Sequence, residues 1–173
     1  VKLEERFADE ARFIKSWFDS PLTTGAVTPS GRFLARAMAR CVDPKADGLI
    51  VELGPGTGPV TEALVARGVP VEKLVLVEYD ASFCKLLERR FPGAQVLRGD
   101  AYRLKDTLKH LHGAGIATIV SSLPLLTRPE RERLQLLDEA FALMGAEGSF
   151  VQFTYGLVSP MPLKTSRRAA ADY

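Results

Sequence analysis

Val51-Glu52-Leu53-Gly54-Pro55-Gly56-Thr57-Gly58 is the stretch on which the fold turns: an apolar run holding one acidic residue, then three alternating glycines, then Pro59. The apolar run begins at Leu49 and has the length of a short buried strand. The glycines let the chain turn sharply and come close to a ligand with no Cβ in the way. Pro59 suits the first turn of a helix, whose opening N–H groups have no partner to lose, and Gly68 ends that helix. A dinucleotide-binding fingerprint would need glycine at position 59, and the absence of any Gly-Lys pair excludes a phosphate-binding P-loop. Outward from this centre, further strands are expected at 74–78, 95–98, 116–121 and 149–155. Their nearly continuous apolar character fits strands covered on both faces. Between them Asp80 caps a helix that stops before Pro92. A further helix covers roughly 104–111, and the longest starts at Thr127, Pro129 and Glu130 and closes at Gly145. With right-handed crossovers, this rhythm predicts an α/β protein with a parallel sheet of order 3-2-1-4-5 and helices on both faces. Its ligand crevice opens where strands one and four diverge.

At 173 residues and 46% hydrophobic content the chain is one domain with a substantial core. Residues 32–156 form its sheet core, 1–31 an N-terminal helix and loop, and 157–173 a C-terminal extension. Lys and Arg number 23 against 21 Asp and Glu, so no broad basic surface invites nucleic acid. Cys41 and Cys84 are read as free thiols in a reducing cytosol, and with His110 and His112 they have no metal-site spacing. No apolar stretch is long enough to span a membrane, and no signal peptide is recognisable. Leu3, Phe7, Ala11, Ile14 and Phe18 lie along one stripe of an amphipathic helix, widened by Phe13 and Trp17. A loop over 20–31 follows, then a second helix capped at Ser30 that ends near Asp43.

An acidic residue followed by G-x-G-x-G is the pattern of Rossmann-like methyltransferases that use S-adenosylmethionine. Glu52, Gly54, Gly56 and Gly58 supply it, with Glu52 expected to anchor the loop or the donor's amino group. Two companions follow at successive strand ends. Glu78, with Tyr79 after it, is placed to accept from the ribose hydroxyls, and Asp100 with the Ala101 amide to read the adenine edge. Strand four ends in Ser121, a further expected cofactor contact, and continues Ser122-Leu123-Pro124-Leu125, where amino-methylating enzymes of this class carry a tetrapeptide resembling Asn-Leu-Pro-Tyr. Pro124 holds Leu123 extended, so the Leu123 carbonyl is expected to aim into the pocket. Leu125 stands where a planar base would find a ring to stack on, so a flexible, nonplanar amine suits the site better.

The chain resembles the bacterial phospholipid N-methyltransferases, class I enzymes that convert phosphatidylethanolamine stepwise to phosphatidylcholine. The resemblance rests on Phe13 to Trp17, Thr24 to Gly31, Val51 to Pro59, Ser121 to Leu126, and Phe150 to Gly156 with Ser159-Pro160. It implies S-adenosylmethionine as cofactor, S-adenosylhomocysteine as product, no metal, no nucleic-acid partner, and a final pair of strands beyond residue 173. It also implies a cytoplasmic enzyme held peripherally at the inner face of the cell membrane. Phe7, Ile14, Trp17 and Phe18 would rest among anionic headgroups, with Lys15, Arg167 and Arg168 meeting phosphates. Ser122, Leu123 and Tyr155 are the expected acceptor-site residues, with Ser122 and Tyr155 orienting the amine. The faces of Tyr155, Tyr102 or Trp17 are candidates to stabilise the quaternary charge. The residues leave rivals open: RNA adenine N6-dimethylation, methylation of a small molecule, or a noncatalytic cofactor-binding module.

Overall fold

A run such as Leu74-Val75-Leu76-Val77 has no polar side to show to water, so it is stable only between two layers of helix. The computed structural model describes residues 29–153 apart from His112. It builds that run into the interior of a five-stranded sheet. In chain order the elements are α1 Pro29–Arg40, β1 Leu49–Leu53, α2 Pro59–Ala66, β2 Leu74–Glu78, α3 Ala81–Arg90 and β3 Gln95–Arg98. They continue with α4 Leu104–Thr107, β4 Ile116–Ser121, α5 Glu130–Met144 and β5 Ser149–Gln152. The strand order is β3-β2-β1-β4-β5, as the alternating pattern predicted. Every neighbouring pair is parallel. Glu52 of the central strand stands beside Leu76 on one side and Val120 on the other.

Alternation along the strands sends side chains to two separate cores. Ile50, Leu74, Leu76 and Val120 pack with Ala35, Ala39 and Leu64 of α1 and α2. Val51, Leu53, Val75 and Ile119 pack with Leu104 of α4 and Leu136 and Ala140 of α5. Each fully buried Leu or Ile among these contributes about 1.5–3 kcal/mol. The helix ends follow local chemistry. The Asp80 carboxylate accepts the N–H groups of Ser82 and Phe83 at 2.7 and 3.1 Å, which caps α3. Gly145, at φ 74°, ends α5.

Four expectations change. The described α1 already contains Ser30, so Ser30 is not its cap. The helix expected over 104–111 breaks after Thr107 into a tighter turn at Lys109–Leu111. There the Leu108 N–H still bonds four residues back to Leu104, but the Leu111 N–H bonds three back to Leu108, both at 2.8 Å, while the Thr107 hydroxyl ties the helix to the Asp100 carbonyl at 2.9 Å. Helix α5 starts at Glu130 directly behind Pro129, three residues after Thr127. Strand β5 is described only to Gln152. The expected N-terminal helix, and with it Phe7, Ile14, Lys15, Trp17 and Phe18, lies outside the described residues, as do Tyr155, Arg167 and Arg168. Among the described residues no helix is long and apolar enough to cross a membrane.

Candidate active site

The carboxyl ends of β1 and β2 are joined by one side chain. Glu78 accepts the Gly56 N–H at 3.0 Å through one oxygen, and the Tyr79 and Asp80 N–H groups at 2.8 and 2.9 Å through the other. A carboxylate offers about four acceptor positions, so the two ribose hydroxyls expected there find one position left in this conformation. Gly54, Gly56 and Gly58 have φ of 68°, 57° and 87°, the left-handed region that side chains other than glycine avoid. A Cβ on Gly54 would come 2.7 Å from the Leu123 side chain. Arg90 holds the loop from outside, donating to the Thr57 carbonyl and pairing with Glu62 at 3.0 Å.

These pieces surround a cleft of about 460 Å³ walled by Gly54, Glu78, Tyr79, Asp100, Ala101 and Leu123. Four of the predicted cofactor residues therefore sit together with the first glycine. Asp100 also accepts the Tyr102 N–H at 2.9 Å, and the exposed Tyr79 ring stands on the rim. Ser121 is placed differently. It is fully buried, its hydroxyl takes the Leu123 N–H at 3.4 Å, and it does not wall the cleft.

Glu52 lies beneath the loop rather than in the cleft, completely buried. One of its oxygens accepts the Thr61 hydroxyl of α2 at 2.6 Å, so it ties the loop's strand to the following helix. The other oxygen has no hydrogen-bond partner among the described residues, and neither has the buried Ser122 hydroxyl. Burial raises the Glu52 pKa to about 7; the bonded Thr61 hydroxyl pulls it down, as does the Ser122 hydroxyl, which lies close by without a well-formed bond, and the Glu78 charge pushes it up. A carboxyl with that value exchanges its proton near neutral pH.

The segment after β4 departs from expectation in three ways. The Leu123 carbonyl, expected to face the acceptor, takes hydrogen bonds from the Gln152 side chain at 3.0 Å and the Leu125 N–H at 2.9 Å. Both of its lone pairs are thus engaged. Leu125 is core, packed with Val51 and Leu53, so the apolar side chain that reaches the cleft is Leu123. The Tyr102 ring face, offered above to a quaternary amine, is covered by the Arg128 guanidinium at 4.5 Å.

Thr61, Gln152, Arg90 and Arg128 are site residues that the sequence reading missed. Gln152 carried a usable signal, an amide side chain ending an otherwise apolar strand. Its Oε1 is buried with no partner among the described residues. The other three reach their partners across the fold and are invisible in local pattern.

No family model matches the chain. It is similar to an ornithine lipid N-methyltransferase of Singulisphaera acidiphila, 28% identical over 82% of this chain and 76% of that protein. A ribosomal RNA small subunit methyltransferase A of a Synechococcus species is 35% identical, over 54% of this chain and 31% of that one. Among solved structures, phosphoethanolamine N-methyltransferase 1 of Haemonchus contortus, bound to phosphoethanolamine and S-adenosylhomocysteine, superposes with a TM-score of 0.56. It is 14% identical, and the match covers 90% of this chain and 38% of that chain. The chain thus spans about three quarters of the lipid enzyme and about a third of the other two.

The residues present fit S-adenosylmethionine: the loop turns through three left-handed glycines, the first of which opens on the cleft, and the cleft carries acceptors on Glu78 and Asp100. That cofactor supplies a methyl group already activated by a sulfonium. Gly54, Glu78 and Asp100 would hold it at the cleft, leaving the protein to orient an acceptor and to keep water out. The chain has the fold of the class I S-adenosylmethionine-dependent methyltransferases, and its similarity to lipid and RNA methyltransferases makes it an enzyme of methyl transfer.

Proposed function

We propose that this enzyme methylates the amine of phosphatidylethanolamine, stepwise to phosphatidylcholine, on the cytoplasmic face of the cell membrane. The observation that carries the reading is that the side chain reaching the cleft from the segment after β4 is aliphatic. Leu123 faces the cleft, and the place of a base-stacking ring is taken by the core residue Leu125. A planar base loses its stacking partner there, whereas a primary amine on a flexible headgroup needs none. Similarity to an enzyme of ornithine lipid supports a lipid amine, and the phosphoethanolamine bound by the Haemonchus enzyme supports an ethanolamine-type one.

An ammonium has no lone pair, so the amine must shed a proton before the nitrogen forms its new bond to carbon. Ser122, next in the chain to Leu123, and the Gln152 amide, bonded to the Leu123 carbonyl, are the buried polar groups beside the cleft that this reading assigns to the amine. Glu52, behind Ser122, is the group whose pKa of about 7 suits it to hold the proton. Phosphatidylethanolamine vesicles incubated with cofactor should yield mono-, di- and trimethylated lipid by mass spectrometry. No methylated lipid at any stage contradicts the proposal. Methylation of ribosomal RNA adenine is the second reading, favoured by the 35% identity to the Synechococcus enzyme.

A further inference from the structure

Helix α1 repeats arginine every four residues, at Arg32, Arg36 and Arg40. At 1.5 Å rise per residue this is a stripe with about 6 Å between successive guanidinium stems. With Arg67 just past α2 they wall a groove of about 470 Å³ between α1 and α2. The groove's one acid, Glu62, is already paired with Arg90 at 3.0 Å. Arg67 donates to the Val42 carbonyl at 3.3 Å, while Arg32, Arg36 and Arg40 are exposed and form no ion pair among the described residues. Phe33, the residue after Arg32 on α1, is 71% exposed. At one end the groove reaches Pro59, the residue that follows Gly58 of the cofactor loop.

Four arginines against one neutralised carboxylate make a receptor for phosphate, because each planar guanidinium grips two phosphate oxygens at once. An exposed aromatic ring beside the basic stripe is how an amphipathic helix lies on a charged bilayer, with the ring among headgroups and the cations on phosphates. The formal charge of the whole chain is only +2, so the stripe is a local feature and not part of a surface that tracks a nucleic-acid backbone. We propose that the α1–α2 groove seats the phosphates of an anionic bilayer, with Phe33 in the headgroup layer, and so brings the membrane up beside the glycine loop. The choice of lipid over RNA as occupant rests on the functional reading above.

The test uses the full chain with phosphatidylcholine vesicles containing or lacking phosphatidylglycerol, scored by sedimentation at low salt. Replacing Arg32, Arg36 and Arg40 together by Gln should weaken binding to the anionic vesicles about a hundredfold, since each basic side chain near such a surface contributes roughly a factor of five. Binding to the neutral vesicles should change little, and the matching triple Lys variant should keep most of the affinity. A control variant, Lys105→Gln with Lys109→Gln and Arg131→Gln on the other side of the sheet, should bind as wild type does. Equal cofactor affinity by calorimetry certifies the fold of each. Unchanged vesicle binding in the α1 variant, or equal loss in the control, overturns the proposal. So does loss of affinity for an RNA oligonucleotide in a protein that ignores vesicles. Wild-type protein that binds anionic vesicles through these arginines but methylates no phosphatidylethanolamine would uphold the groove and remove the functional reading. Methylation of detergent-dispersed lipid together with normal vesicle binding by the α1 variant would do the reverse.

Discussion

The two halves of the sheet's carboxyl edge treat their polar atoms differently. At β2 and β3, Glu78 takes three backbone N–H groups, Asp80 caps α3 and Asp100 caps the turn that follows it. The buried Tyr102 hydroxyl is the exception there. At β4 and β5, Ser122 Oγ and Gln152 Oε1 are buried without partners among the described residues, and Glu52 Oε1 joins them from β1. Leaving a buried polar group unmatched costs about 1–3 kcal/mol, so the second half holds a deficit that the first does not. The contrast assigns the roles. The matched half has its cofactor-facing carboxylates held in place by backbone N–H groups, and in the proposed reading the unmatched half is completed by what it binds.

The largest expected effect falls on Glu52, which is fully buried with a pKa near 7 against an ordinary 4.5. The folded protein keeps a proton on Glu52 that the unfolded chain has already lost between those values. Stability from this group is therefore present below pH 4.5, falls as pH rises toward 7, and is flat above. The loss is about 3 kcal/mol. Glu52→Gln removes the titration, so its denaturation midpoint should gain on wild type by that amount between pH 5 and pH 8. A constant difference across that range would return Glu52 to the matched half.

Glu78→Ala strips an acceptor from three amides and from the ribose position at once, and should weaken cofactor binding about a hundredfold in calorimetry, a few charged hydrogen bonds' worth. Unchanged affinity would mean that the cofactor lies elsewhere. Gln152→Ala should act on the opposite side of the comparison: turnover about tenfold lower and cofactor affinity unaltered, because the Leu123 carbonyl loses its clamp and the amine an acceptor. The reverse pattern would erase the distinction between the halves. Smallest is Tyr79→Ala, whose exposed ring on the cleft rim should cost two- to fivefold in cofactor affinity and nothing in thermal stability.

The matched half was also the legible one. The bounds of β1 to β4 and the Asp80 cap can be read from sequence because apolar runs, glycines and capping residues act within a few positions of themselves. The glycine loop and Glu78 are legible because each follows directly from a strand end. The unmatched half depends on contacts between distant segments: Thr61 on Glu52, Gln152 on Leu123, Arg128 over Tyr102. Leu125 illustrates the limit. Its identity argues against a stacked base, yet nothing local distinguishes a residue facing the cleft from one packed on Val51 and Leu53. The arginine stripe of α1 was written in the sequence at a spacing of four, but its groove exists only once α2 lies alongside.

The central claim is that the unmatched half is completed by a lipid amine. It is tested most directly by methyl transfer from labelled cofactor offered simultaneously to phosphatidylethanolamine vesicles, ribosomal RNA and free ethanolamine-type amines. The account predicts label in the lipid fraction, falling about tenfold with Gln152→Ala. Label in RNA with none in lipid would contradict it.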